Sequence, residues 1–235
     1  MVRDVGERTG ILAFGDDIPA RLRSRPVADI DRTKEFVEMI HPGYLVEPIG
    51  GTALRYATYP PDDVVFASSS ADLDIICDRR LTFDNPATLP EHLQRIGSGR
   101  RIATLGTHSV VDWLSCAAWS DGVLVRSLTV SPDGGIIENI GEPLPFETPY
   151  WAGEHPVVST GEDPYPLPFH PLDLGQAAQR HLFGFVTEGP SHPDDVPTGE
   201  VHLLGFRVTD PTGEEKEKRE FMAQMLREIL GQPPV

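Results

Sequence analysis

Positive charge is scarce in this chain. Its 235 residues carry 20 lysines and arginines against 36 aspartates and glutamates, a net charge of −16. Nucleic-acid binding depends on Lys and Arg against phosphates, so this balance argues against it. Anionic membrane surfaces are disfavoured on the same ground. No run approaches the roughly 20 apolar residues of a membrane-spanning helix. The charged stretch from Met1 to Gly10 has no apolar segment behind it, so no signal peptide is expected. Cysteine is scarce too. Cys77 and Cys116 each sit in an apolar, strand-like run. Two distant thiols make neither a disulfide framework nor a zinc site. They read as buried free thiols of a reducing cytoplasm. No internal repeat is found. These limits leave a small neutral ligand, a cation or a basic protein partner, and they leave any cofactor unknown.

The apolar and charged fractions, 39% and 24%, are those of a folded globular chain. Ile11–Phe14 reads as a first strand. Asp29 or Asp31 caps a helix with Ile30, Phe36, Val37 and Ile40 on one face, ended by His41-Pro42-Gly43. Tyr44–Val46, Leu54–Tyr56, Val64–Ala67 and Leu73–Cys77 are strand candidates. Thr88-x-x-Glu91 is a capping box for a short helix ending at Gly97. After a strand over Arg101–Gly106, Trp113–Trp119 and Val123–Val130 flank Ser120-Asp121-Gly122, which is hairpin turn chemistry. Ile136–Ile140 adds a third strand to this meander. Asp173 caps a helix reaching about Val186, and Val201–Val208 is a strand. Phe221, Met222, Met225, Leu226, Ile229 and Leu230 form an apolar stripe that docks the last helix on the body or on a second subunit. Strands cluster in the middle and helices toward the ends. The expected class is α+β, a mostly antiparallel sheet with helices packed on one face, in a single domain over residues 1–235.

Residues 143–172 differ from the rest. Pro143, Pro145, Pro149, Pro156, Pro164, Pro166, Pro168 and Pro171 exclude regular structure there, while Phe146, Tyr150, Trp151, Tyr165 and Phe169 exclude a solvated linker. A long irregular segment of this kind is functional or wraps the domain.

Several phrases are distinctive: His108-Ser109-Val110-Val111-Asp112-Trp113, Ser131-Pro132-Asp133-Gly134-Gly135, Tyr150-Trp151-Ala152-Gly153-Glu154-His155-Pro156, and Pro166-Leu167-Pro168-Phe169-His170-Pro171-Leu172. On these the chain resembles an uncharacterised family of acidic intracellular proteins from high-GC Gram-positive bacteria. The resemblance implies a bacterial cytoplasmic protein and supplies no activity. The phrase Gly141-Glu142-Pro143-Leu144-Pro145-Phe146-Glu147 is also similar to one in small bacterial immunity-type and binding proteins.

Candidate chemistry concentrates in the same region. From Ser127 to Phe206 the one basic residue is Arg180, among carboxylates that include Glu142, Glu147, Glu154, Glu162, Asp163 and Glu188. Such a field attracts cations or basic partners; the bland alternative is a solvated acidic face. These carboxylates either meet Arg79, Arg80, Arg100 or Arg101 from elsewhere or face a cationic partner. Glu142 and Glu147 beside Tyr150 and Trp151 are candidate ligand-binding residues, since aromatic platforms next to acids suit sugars or cations. His108, Asp112, Glu154, His155 and His170 are candidate catalytic residues of a hydrolase or metal-assisted enzyme. No nucleophile elbow, His-x-x-x-His or Cys-x-x-Cys is present, and no metal site is assigned. Asp16-Asp17 reads as a turn or a magnesium contact. Gly97-Ser98-Gly99-Arg100-Arg101 reads as a helix exit, although its amides and guanidinium groups could hold a phosphate. The first reading is a non-catalytic binding or protein-interaction module with an electronegative recognition surface, lined by residues 143–172. The enzyme is the alternative.

Overall fold

Ile11, Leu12, Ala13 and Phe14 are apolar at every position, and the strand they form is buried on both faces. This two-sided burial organises the architecture. The computed structural model describes residues 8–157, 165–187 and 189–229, apart from the side chains of Arg8, Ala223 and residues 226–229. Nine strands form one sheet: β1 (Arg8–Phe14), β2 (Leu45–Ala53), β3 (Val64–Ser69), β4 (Asp74–Cys77), β5 (Ile102–His108), β6 (Trp113–Ser120), β7 (Val123–Ser131), β8 (Gly135–Ile140) and β9 (His202–Thr209). Their order is β2-β9-β3-β4-β1-β5-β6-β7-β8, with β1 in the centre. The pairings are antiparallel throughout.

The expected meander is β6-β7-β8. Asp121 and Gly122, both at positive φ (50° and 75°), make its first turn, the backbone that a two-residue hairpin requires. Leu54–Tyr56, expected as a strand, lies in a helical turn, Leu54–Ala57, that follows directly on β2.

Helices cover both faces, not one. Ile18 and Leu22 of α1 (Ile18–Arg23) pack on one face together with Leu174, Ala178 and Leu182 of a longer helix, Pro171–Phe183. The floor beneath them is Ile11, Ala13, Leu105, Leu114, Cys116 and Leu128. On the opposite face, Phe36, Val37 and Ile40 of α2 (Ile30–Ile40) cover Leu12, Phe14, Ile76, Ile102 and Phe206. A strand that is apolar at every position needs cover on both sides, which is why a one-sided arrangement fails.

Local expectations are corrected in three further places. Helix α3 is Leu54–Ala57, and α4 (Glu91–Ile96) starts at Pro90 with no side-chain cap, because the Thr88 hydroxyl donates to the Asn85 carbonyl instead. The long helix α6 (Pro171–Phe183) is capped by His170, not Asp173, and stops at Gly184 in the left-handed region, short of Val186. In between, Thr148–Trp151 forms a helical turn, α5, inside the segment expected to be irregular. Pro149 is tolerated there because it lies in the first turn, where no N–H partner is lost.

The final helix α7 (Glu214–Ile229) leaves Phe221 61%, Met222 51% and Met225 41% exposed. Its described stripe does not dock on the body. Leu230 and the side chains of Leu226 and Ile229 lie outside the described residues.

Residues 143–157 strap the meander through one buried ion pair. Arg126 and Glu147 are both essentially inaccessible and meet in a two-point contact, Nε to Oε1 at 2.8 Å and Nη2 to Oε2 at 2.7 Å. Arg126 Nη1 also donates to Asn139 Oδ1 and to the Ile140 and Gly141 carbonyls. Glu147 accepts from the Leu144 amide and the Trp151 indole. Replacing one partner leaves a buried, uncompensated charge. Glu147→Ala should therefore lose about 3–5 kcal/mol, whereas Arg126→Met combined with Glu147→Leu should recover most of it. Urea unfolding of both variants checks this. A double variant no more stable than Glu147→Ala contradicts the reading.

Candidate functional site

β5 and β6 are in register as far as His108 and Trp113, so residues 109–112 form a four-residue loop at the end of the sheet. Asp112 closes the loop in the left-handed region, φ 47°. Alternation along the strand sends neighbouring side chains to opposite faces. His108 and Trp113 line a cleft of about 310 Å³ with Thr82 and Asp84. Ser109 lines a separate small cavity beneath α6.

The loop meets the start of α6 through Asp112, whose Oδ2 lies 3.5 Å from His170 Nε2. His170 Nδ1 accepts from the Leu172 amide as the cap of α6. That bond leaves Nε2 facing Asp112. The Tyr165 ring stacks on His170 with centroids 5.8 Å apart. Burial, then Asp112 and Asp173, push the Tyr165 hydroxyl pKa up.

Tyr150 is 9% exposed and belongs to the core. It stacks on exposed His155 at 4.3 Å and donates to the Asp173 carbonyl. Trp151 is half-buried and meets Phe169 edge-on at 4.8 Å. Glu142 and Glu154 are exposed, whereas Glu147 is wholly taken up by Arg126 and its neighbours. The structure therefore brings Asp112 and His170 together and His155 onto Tyr150. It puts His108 in the cleft with Trp113 and Glu147 in the interior. Glu162, Asp163 and Glu188 lie outside the described residues. Among the described residues no three His, Cys, Asp or Glu side chains gather as metal ligands. Burial first, with a neighbouring carboxylate, pushes both cysteine thiols up to about 12, so both are protonated at neutral pH.

The expected basic neighbours turn elsewhere. Arg79 meets Asp62, Arg80 meets Asp78 and Arg100 meets Asp74. The Asp78 contact belongs to a buried network that reading the sequence missed. His41 Nε2 lies 2.7 Å from Asp78 Oδ2, Arg80 grips Oδ1, and Arg80 and Tyr44 both reach Glu215 of α7. Asp78-Arg79-Arg80, directly after an apolar strand, was the available signal.

The chain belongs to the family of unknown function DUF6928, which matches residues 9–206. No curated protein and no solved structure matches it.

Burial opposes ionisation of Asp78, but His41 and Arg80 outweigh it and hold the carboxyl below the usual range. A depressed folded pKa gives stability that is present above the unfolded value of about 4 and lost as pH falls through the folded one. The chain should therefore lose stability below about pH 4 more steeply than Asp78→Asn does. Thermal unfolding at neutral and acid pH measures this. Parallel acid profiles would remove Asp78 from the account.

Proposed function

We propose that this member of a family without an assigned activity is a non-catalytic protein-interaction module. Its recognition surface is the electronegative rim of the meander, bordered by the strap. One observation carries the reading. The edge strand β8 exposes Ile136, Ile137 and Ile140, and exposed Asp121, Asp133 and Glu142 stand at its two ends with no ion pair among the described residues. The opposite edge, β2, is guarded by Pro48 and a bulge after Ile49, both of which discourage pairing. β8 has no proline and no lysine. An open edge with apolar side chains accepts a further strand, and the carboxylates around it select a basic one. A second copy of this chain would bring the same net charge of −16 and is disfavoured. The buried thiols of Cys77 and Cys116 suit a cytoplasmic setting.

The pairing of Asp112 with His170 beside Tyr165 favours a second reading, a hydrolase or metal-assisted enzyme using His108, Asp112, Glu154, His155 or His170. Stoichiometric metal in the purified chain, lost in Asp112→Asn and His170→Gln, would move the assignment to it.

The test of the first reading uses a peptide of alternating lysine and valine as a probe. Combining Asp121→Asn, Asp133→Asn and Glu142→Gln should weaken binding about tenfold or more at low salt, with Tm unchanged. A control carrying Glu35→Gln, Glu47→Gln and Glu217→Gln has the same net charge and should bind as the unaltered chain does. Equal losses in both variants would reduce the surface to nonspecific charge.

A further inference from the structure

A second cleft, of about 330 Å³, lies on the α6 face toward the other end of β5 and β6 from the 109–112 loop. Its lining includes Ala103 and Ala118, which are register partners. Their methyl groups leave depth that larger side chains would fill. Ile18 and Pro19 at the start of α1 and Leu182 in the last turn of α6 supply further apolar wall. Three polar side chains also line it: Asp17, Arg101 and His181.

Arg101 is the anomaly. The other arginines whose side chains are described hold a carboxylate, a hydroxyl, a carbonyl or an aromatic ring; examples are Arg21 on Asp72, Arg25 on Glu200, Arg32 on Ser69 and Arg23 on a carbonyl. Arg101 makes no hydrogen bond or ion pair through its side chain among the described residues, in a chain where acids outnumber bases 36 to 20. Asp17 lines the same cleft without pairing with it. Asp17 is instead fixed. Its backbone is left-handed, φ 47°, and its Oδ1 accepts from the Ala20 amide as the cap of α1. A non-glycine residue in that region is strained, and such strain clusters at sites that hold side chains in set positions.

Asp17 and exposed Arg101, oppositely charged and not paired with each other among the described residues, line one cleft with Ile18, Pro19 and Leu182, and this matches a ligand with both charges and an apolar part. We propose that this cleft binds an apolar α-amino acid, with its carboxylate on Arg101, its ammonium on Asp17 and its side chain against Ile18, Pro19 and Leu182. Guanidinium and carboxylate match in a two-point geometry, and a volume of this size is that of a small-molecule site. The site is separate from the β8 edge and does not depend on the interaction reading.

His181 provides an internal probe. Its ring lies against Phe146 at 4.9 Å. Partial burial first, then Arg101, push its pKa below 6.5, while Glu147 opposes them. Of the charged groups around the cleft, Arg101 precedes β5, Asp17 caps α1 and Glu147 comes from the strap. A carboxylate placed on Arg101 offsets the repulsion that the imidazolium meets there, so the His181 pKa should rise on binding.

The experiment titrates the full chain with leucine and with phenylalanine, following the His181 ring resonances by NMR. Isocaproate, which is leucine without its amino group, and isoamylamine, which is leucine without its carboxylate, are the controls. One of the amino acids should give a saturable shift and raise the His181 pKa, and the controls should bind at least about tenfold more weakly. Arg101→Gln should abolish the shift. Asp17→Asn keeps the helix cap, so the fold survives, but should remove the preference for the amino acid over isocaproate. No saturable shift with either amino acid up to about 10 mM, or undiminished binding in Arg101→Gln, overturns the proposal.

Discussion

The buried pair between Arg126 and Glu147 fixes how the strap meets the sheet. Arg126 projects from β7 into an interior that an unpaired guanidinium could not occupy. Glu147 supplies the counter-charge, and the carbonyls of Ile140 and Gly141 take remaining donors where β8 runs into the strap. Desolvating both charges costs as much as their attraction returns, unless the remaining hydrogen bonds are also made. Here they are made, by Asn139, Leu144 and Trp151. The geometry of residues 140–151 is therefore over-determined.

That one contact separates the strap's carboxylates into two kinds. Glu147 turns inward, and Glu142 and Glu154 are left on the surface. Arginines that might have neutralised the surface are engaged elsewhere, Arg80 with Asp78 and Arg100 with Asp74. Among the described residues Glu142 and Glu154 form no ion pair. The aromatic residues have a different task. Tyr150, Phe169 and Trp151 pack against one another and on the α6 side of the core. They hold the strap against the body.

Much of this was legible in the sequence. The hairpin at Asp121-Gly122 follows from its turn residues, and the burial of Phe36, Val37 and Ile40 in α2 from its period, although Ile30, expected on the same face, is exposed. The two-faced burial was also written in Ile11-Leu12-Ala13-Phe14, where an unbroken apolar run departs from the alternation of a one-sided sheet. Other features had no local signature. Glu147 looks like Glu142 or Glu154 until Arg126, twenty-one residues away, is seen to reach it. His170 outcompetes Asp173 as a cap because Pro171 fixes where the helix begins. The juxtaposition of Asp17, Arg101 and His181 joins three distant segments, so spacing along the chain could not show it.

Native-state amide exchange tests the central claim most directly, since the Leu144 amide and Trp151 indole donate to Glu147. If the strap is part of the core, both should exchange only through global unfolding, as slowly as the central strand β1. Rapid exchange at Leu144 and Trp151 with β1 still protected would mean that the strap opens on its own, and would contradict the account.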